Sequence, residues 1–115
     1  MAEQLLLDLY GCDSAALDDE DAVRQLAHRI VNCVGATILH EFVHGFDPVG
    51  ITYVAILSTS HLAIHTWPEN GCAAIDVFSC ATGIPDAVVT EAADVFQASK
   101  TSPRFVERHT EGEAA

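Results

Sequence analysis

"STSHLAIHTWPENGCAAIDVFSC", residues 58 to 80, decides how this chain folds. Two alternating apolar runs, 61 to 69 and 72 to 80, flank Asn70-Gly71. Asn-Gly between such runs is the strongest short-range hairpin signal, because both central residues of the favoured tight turn need positive φ. A two-residue turn there sets His61 opposite Cys80, with Ser60 beside it. Serine and cysteine become neighbours at one end of the hairpin.

The same reading extends outward. Gln4 to Tyr10 is a short apolar run closed by Gly11 and reads as a first strand. From Asp18 to Val34, the apolar residues Val23, Leu26, Ala27, Ile30, Val31 and Val34 recur at spacings of three and four. Acids fill the first turn and Gly35 follows the end, so the segment reads as an amphipathic helix. Residues 36 to 46 and 50 to 58 are β-rich and separated by Asp47-Pro48 and Gly50. A second helix is expected over Pro85 to Ser99, with Val88, Val89, Ala92, Val95 and Phe96 as its stripe. Residues 1 to 100 then form one domain, and 101 to 115 read as a polar, flexible tail. The fold class is α+β: a two-layer sandwich of one antiparallel sheet with two helices on one face.

Composition limits the function. In 115 residues, 50% of them apolar, there is one core and no room for a separate substrate domain. Seventeen acidic against five basic residues give a net charge of -12, which argues against a nucleic-acid surface and suits a cationic or zwitterionic ligand. No apolar stretch approaches the ~20 residues of a membrane helix, and no leader pattern opens the chain, so a cytoplasmic protein with no membrane partner is expected. The cysteines at 12, 33, 72 and 80 lack C-x-x-C spacing and read as thiols.

His40-Glu41-Phe42-Val43-His44 spells the H-E-x-x-H zinc signature. On a helix two such histidines lie about 6 Å apart and share a metal. On a strand they lie about 13 Å apart and do not. Thr37, Ile38, Phe42 and Val43, pinned between Gly35 and Gly45, favour the strand, so no metal is expected.

The block 58 to 80 also carries a resemblance. Ser60-His61, Ile64-His65-Thr66-Trp67-Pro68-Glu69, Gly71 and Ala73-Ala74-Ile75-Asp76-Val77-Phe78-Ser79-Cys80 follow one another without a gap. In this it resembles the small prokaryotic S-adenosylmethionine decarboxylase proenzymes. The similarity extends through Leu9-Tyr10-Gly11-Cys12, Gly35-Ala36-Thr37, His44, Phe46, Pro48 and Gly50, about residues 4 to 83. It implies self-cleavage between Thr59 and Ser60, with Ser60 converted to a pyruvoyl group that replaces pyridoxal phosphate as electron sink. The same resemblance makes His65 the base for processing, Cys80 the proton donor to substrate, and Thr52 a hydroxyl that supports processing. Phe46 would stack on adenine, Glu69 would hold the ribose hydroxyls, and Trp67 would border the substrate. Departures stand at Thr59, where the family usually has glutamate, at Thr52 for serine, at Asn70 and Cys72 for tyrosines, and at Ala81-Thr82 before the glycine.

His65 lies five residues along its strand from Ser60, about 16 Å away and on the opposite face, so it cannot serve its own Ser60. A two-fold dimer with shared active sites, joined at the sheet, resolves this and agrees with the composite sites of the family. The expected substrate is S-adenosylmethionine, and the product the aminopropyl donor for polyamines. A pyruvoyl decarboxylase of arginine or ornithine would keep Ser60, His65 and Cys80 without needing Phe46 and Glu69. An unprocessed, non-catalytic homologue would stay as one chain.

Overall fold

In the computed structural model, which describes residues 2–81 and 83–113, alternation along each strand sorts side chains onto two unlike faces. Six strands form one antiparallel sheet: β1 (Ala2–Tyr10), β2 (Ile38–Gly45), β3 (Ile51–Leu57), β4 (Ser60–Trp67), β5 (Cys72–Ser79) and β6 (Lys100–Arg108). Their spatial order is β2-β3-β4-β5-β1-β6. Leu5, Leu7 and Leu9, Tyr53 and Ala55, Leu62 and Ile64, and Ile75 and Val77 are buried on one face. Helices α2 (Glu20–Val34) and α3 (Ala87–Phe96) cover that face and pack on each other, with a single turn of helix before α2, α1 (Ser14–Leu17), beside both. The α2 stripe Val23, Leu26, Ala27, Ile30 and Val31 and the α3 residues Val88, Ala92 and Phe96 complete the core. Truncating one fully buried leucine or isoleucine here to alanine costs about 2–5 kcal/mol. The α+β sandwich expected from sequence is the fold observed.

Helix boundaries differ in detail from the sequence reading. Helix α2 starts at Glu20, because the Asp19 carboxylate caps it by accepting from the Asp21 amide (2.9 Å) and the Ala22 amide (3.4 Å). The expected second helix over 85 to 99 is shorter, Ala87–Phe96, and ends where Gln97 takes a left-handed conformation. No helix among the described residues is long and apolar enough to cross a membrane.

Two expectations are corrected. Residues 101 to 108 are not a flexible tail: with Lys100 they form β6, paired with β1 from Tyr10↔Lys100 to Ala2↔Arg108. Its sequence KTSPRFVER hid the strand, since an edge strand with few apolar residues carries no strong alternation, and Pro103 is tolerated there. The domain thus runs past residue 100. Second, the β4–β5 hairpin does not turn on two residues. Pro68, with φ fixed and no amide donor, opens a 3-10 turn over Pro68–Asn70, and Gly71 closes it at φ 66. Every pair shifts by two from the expected register: Ser60 faces Ser79 and His61 faces Phe78. A two-residue slip preserves which face each side chain occupies. The two-residue turn of this sheet is instead Ser58-Thr59, between Leu57 and Ser60.

His40 and His44 lie on β2, opposite Ile56 and Thr52, so the strand reading of the zinc-like string holds. Its Glu41 turns to the helix side. It accepts from the Tyr53 hydroxyl at 2.6 Å and from Arg24 Nη1 at 2.8 Å. Burial, and then the Glu41 carboxylate, push the Tyr53 phenol above its usual pKa. This carboxylate fastens the edge strand to α2.

Candidate active site

The face of the sheet away from the helices is uncovered. Phe42 (64% exposed), Val54, Ile56 and Trp67 stand on it. On it Thr52 lies opposite His44 on β2 and His65 on β4. Thr52 Oγ1 and His65 Nδ1 are 3.1 Å apart, which orients the imidazole. The His65 ring lies 6.3 Å from Trp67, and His44 meets Phe46 edge-to-face at 4.6 Å.

A cavity of about 260 Å³ at the β3–β4 end is lined by Phe46, Thr52, His65, Trp67 and Glu69 together with Val49, Gly50 and Thr66. Five positions singled out in the sequence therefore meet in one place. A second hollow of about 400 Å³ adjoins it across Val49 and Glu69 and reaches Asp18. The loop between the strands is closed by the Phe46 amide donating to the Gly50 carbonyl at 2.8 Å. Gly50 has φ 108, and a Cβ there would approach the Thr66 carbonyl to 3.3 Å, so glycine is required. Its amide donates to Asp18 Oδ1 at 2.9 Å, tying the loop to the start of the helical layer. Sequence reasoning missed Asp18. In sequence it stands only among the acids at the start of a helix, and no local pattern marks a contact 32 residues away.

Ser60 and Cys80 lie at the opposite end of β4. Ser60 has φ 139, a conformation that L-residues rarely adopt. The carbonyl of Thr59, immediately before it, accepts from the Cys80 amide at 2.9 Å, and Cys80 is exposed. The expected closeness of serine and cysteine is therefore met, but through the Thr59 backbone and not through a His61–Cys80 pair. His65 is absent from this end, five residues along β4 on the uncovered face.

Chemically, one end of β4 offers a hydroxyl, a thiol and a polarised carbonyl. The other offers an imidazole, an aromatic wall and a carboxylate. The class this defines is a small α+β sandwich that carries a hydroxyl and a thiol at one end of β4 and an imidazole-lined cavity at the other. Comparison with known proteins sharpens it. Residues 3–109 match the family model described as S-adenosylmethionine decarboxylase. The chain is 38% identical over 109 residues to the S-adenosylmethionine decarboxylase proenzyme of Methanococcus maripaludis strain S2, covering 94% of this chain and 89% of that one. It is 39% identical over 111 residues to the proenzyme of Parasynechococcus marenigrum, covering 96% and 87%. The crystal structure of the adenosylmethionine decarboxylase from Aquifex aeolicus superposes with a TM-score of 0.86 at 28% identity, over 100% of this chain and 96% of that one. The chain belongs to the S-adenosylmethionine decarboxylase family.

Proposed function

We propose that the chain cuts itself between Thr59 and Ser60 and then decarboxylates S-adenosylmethionine, yielding the aminopropyl donor for polyamine synthesis. The observation that carries this reading is the backbone at Ser60: a non-glycine residue at φ 139 whose preceding carbonyl already receives the Cys80 amide at 2.9 Å. Strain at a functional position persists only when its surroundings impose it, and a donor on the attacked carbonyl stabilises the oxyanion that forms there.

Ser60 Oγ attacks the Thr59 carbonyl carbon, the C–N bond breaks, and the hydroxyl proton passes to the leaving amine, giving an ester. Loss of the Ser60 Cα proton then breaks the Cβ–Oγ bond, leaving Thr59 as a carboxylate. Tautomerisation and hydrolysis release ammonia and leave a ketone at position 60. That pyruvoyl group supplies the electron sink that decarboxylation of an α-amino acid needs.

His65 is the base for the Cα proton, its ring oriented by Thr52. Since it lies about 16 Å along the strand from its own Ser60, the His65 that acts there comes from a second copy. The uncovered face, with Phe42, Val54 and Ile56 exposed, suits a homodimer joined sheet to sheet with two shared sites. Cys80 Sγ returns a proton to the substrate carbon after carbon dioxide leaves. Phe46 and Glu69, in one cavity, fit an adenine face and the ribose hydroxyls. Their presence together favours the adenosyl substrate over arginine or ornithine.

The deciding experiment is intact mass under denaturing conditions. Two fragments parted at Thr59-Ser60, the second lighter by one ammonia than a serine start, are expected. A single chain of 12.3 kDa overturns the proposal.

A further inference from the structure

Two buried hydroxyls near the Thr59–Ser60 bond have no hydrogen-bond partner among the described residues: Thr59 Oγ1 and Ser79 Oγ. Native proteins satisfy nearly all buried polar atoms, so an exception asks for a reason. Thr59 carries its hydroxyl on the residue whose carbonyl would be attacked, and would move with it. Ser79 is different. It is 1% exposed, sits on β5 between two paired strands, and faces Ser60 on β4 and Glu3 on β1. Directly opposed residues of an antiparallel pair hold their Cβ atoms about 4.5–5.5 Å apart, within reach of two hydroxyls. The next residue, Cys80, already gives its amide to the Thr59 carbonyl.

Resting on the self-cleavage reading above, we infer that Ser79 is a positioning residue for that reaction: its hydroxyl accepts from Ser60 Oγ as the serine turns to attack. Residues 79 and 80 then address the two reacting groups in turn, the nucleophile through a side chain and the carbonyl oxygen through the backbone. In the resting chain the Ser79 hydroxyl has no partner among the described residues, which costs stability and keeps it free for this use. No atom is gained or lost by Ser79. The proton on Ser60 Oγ still passes to the leaving amine.

The test compares the full chain with Ser79→Ala and Ser79→Thr, following the cleaved fraction by intact mass after pulsed synthesis. Ser79→Ala should cleave about tenfold or more slowly, the cost of one hydrogen bond in the transition state, and Ser79→Thr should recover most of the rate. Stability is read in the uncleavable Ser60→Ala background, where adding Ser79→Ala should leave the melting temperature unchanged or raise it. Cleavage of Ser79→Ala at the native rate overturns the inference alone. So does a fall of several degrees in the melting temperature, which would mark the hydroxyl as a structural hydrogen-bonding group. A native chain that never cleaves overturns the self-cleavage reading as well, so the two failures are distinguishable.

Discussion

The amide of Cys80 donates to the carbonyl of Thr59 at 2.9 Å, so the last residue of the 58–80 block holds the bond before Ser60 by its backbone. A contact made by backbone survives a change of side chain. Cys80→Ala should therefore still yield two fragments, while decarboxylation of S-adenosylmethionine falls at least about a hundredfold with the proposed proton donor gone. Ser60→Ala should remain one chain of 12.3 kDa. Gel electrophoresis and release of labelled carbon dioxide separate the two effects, and an uncut Cys80→Ala chain would contradict the backbone role.

Placing Ser60 and His65 at opposite ends of one strand has a consequence for mixtures. Ser60→Ala and His65→Ala are each expected to be inactive. Co-expressed, they form heterodimers in which one shared site carries both changes and the other carries neither. Activity should return to roughly a quarter of native in a statistical mixture. If each chain supplied a whole site, the mixture would stay inactive.

Substrate binding should separate from self-cleavage. Phe46→Ala removes one aromatic wall of the cavity and should raise KM about tenfold. Asp18→Ala frees the Gly50 amide and loosens the loop that carries Phe46, raising KM about fivefold, whereas Asp18→Asn keeps an acceptor oxygen and should bind like the native chain. Fragment patterns should be native in all three. Steady-state kinetics on cleaved protein checks this, and equal losses in the Ala and Asn variants would show that charge, not the hydrogen bond, matters at position 18.

Alkaline pH should weaken the fold through Cys12. Burial, and then the neighbouring Cys72, push its thiol from 9.0 up to about 11. Below pH 9 the thiol is neutral in both folded and unfolded chains and contributes no slope. As pH rises from about 9 to about 11, the unfolded chain gives up its proton first, so stability falls across that window. Cys12→Ala should flatten the slope of urea midpoints against pH there, and an unchanged slope would assign it to other groups.

The sandwich was legible because its signals are local. Alternation in 51–57 and 61–67, the three-and-four spacing from Val23 to Val31, and Gly35 after the helix each record a periodicity that a short segment fixes by itself. Strand β6 was not legible. Few of its residues enter the core, and its pairing with β1 joins opposite ends of the chain. The hairpin register departs from the Asn-Gly pattern for a local reason: Pro68 starts a 3-10 turn before Asn70-Gly71 can form a two-residue one.

What the sequence determined by itself is the set of chemical groups and their faces. Ser60, His65 and Cys80 carry their reactive atoms wherever they lie, and five steps along one strand put Ser60 and His65 on opposite faces whatever the register. What only the tertiary structure decided is which groups meet. Phe46, Thr52, His65, Trp67 and Glu69 share one cavity because β3 and β4 pair side by side, Asp18 joins it through a hydrogen bond to Gly50, and Cys80 reaches Thr59 through an amide. Side-chain alternation is a property of a few bonded neighbours, whereas a cavity and a backbone contact depend on register and loop closure, which are settled by the packing of the whole sheet.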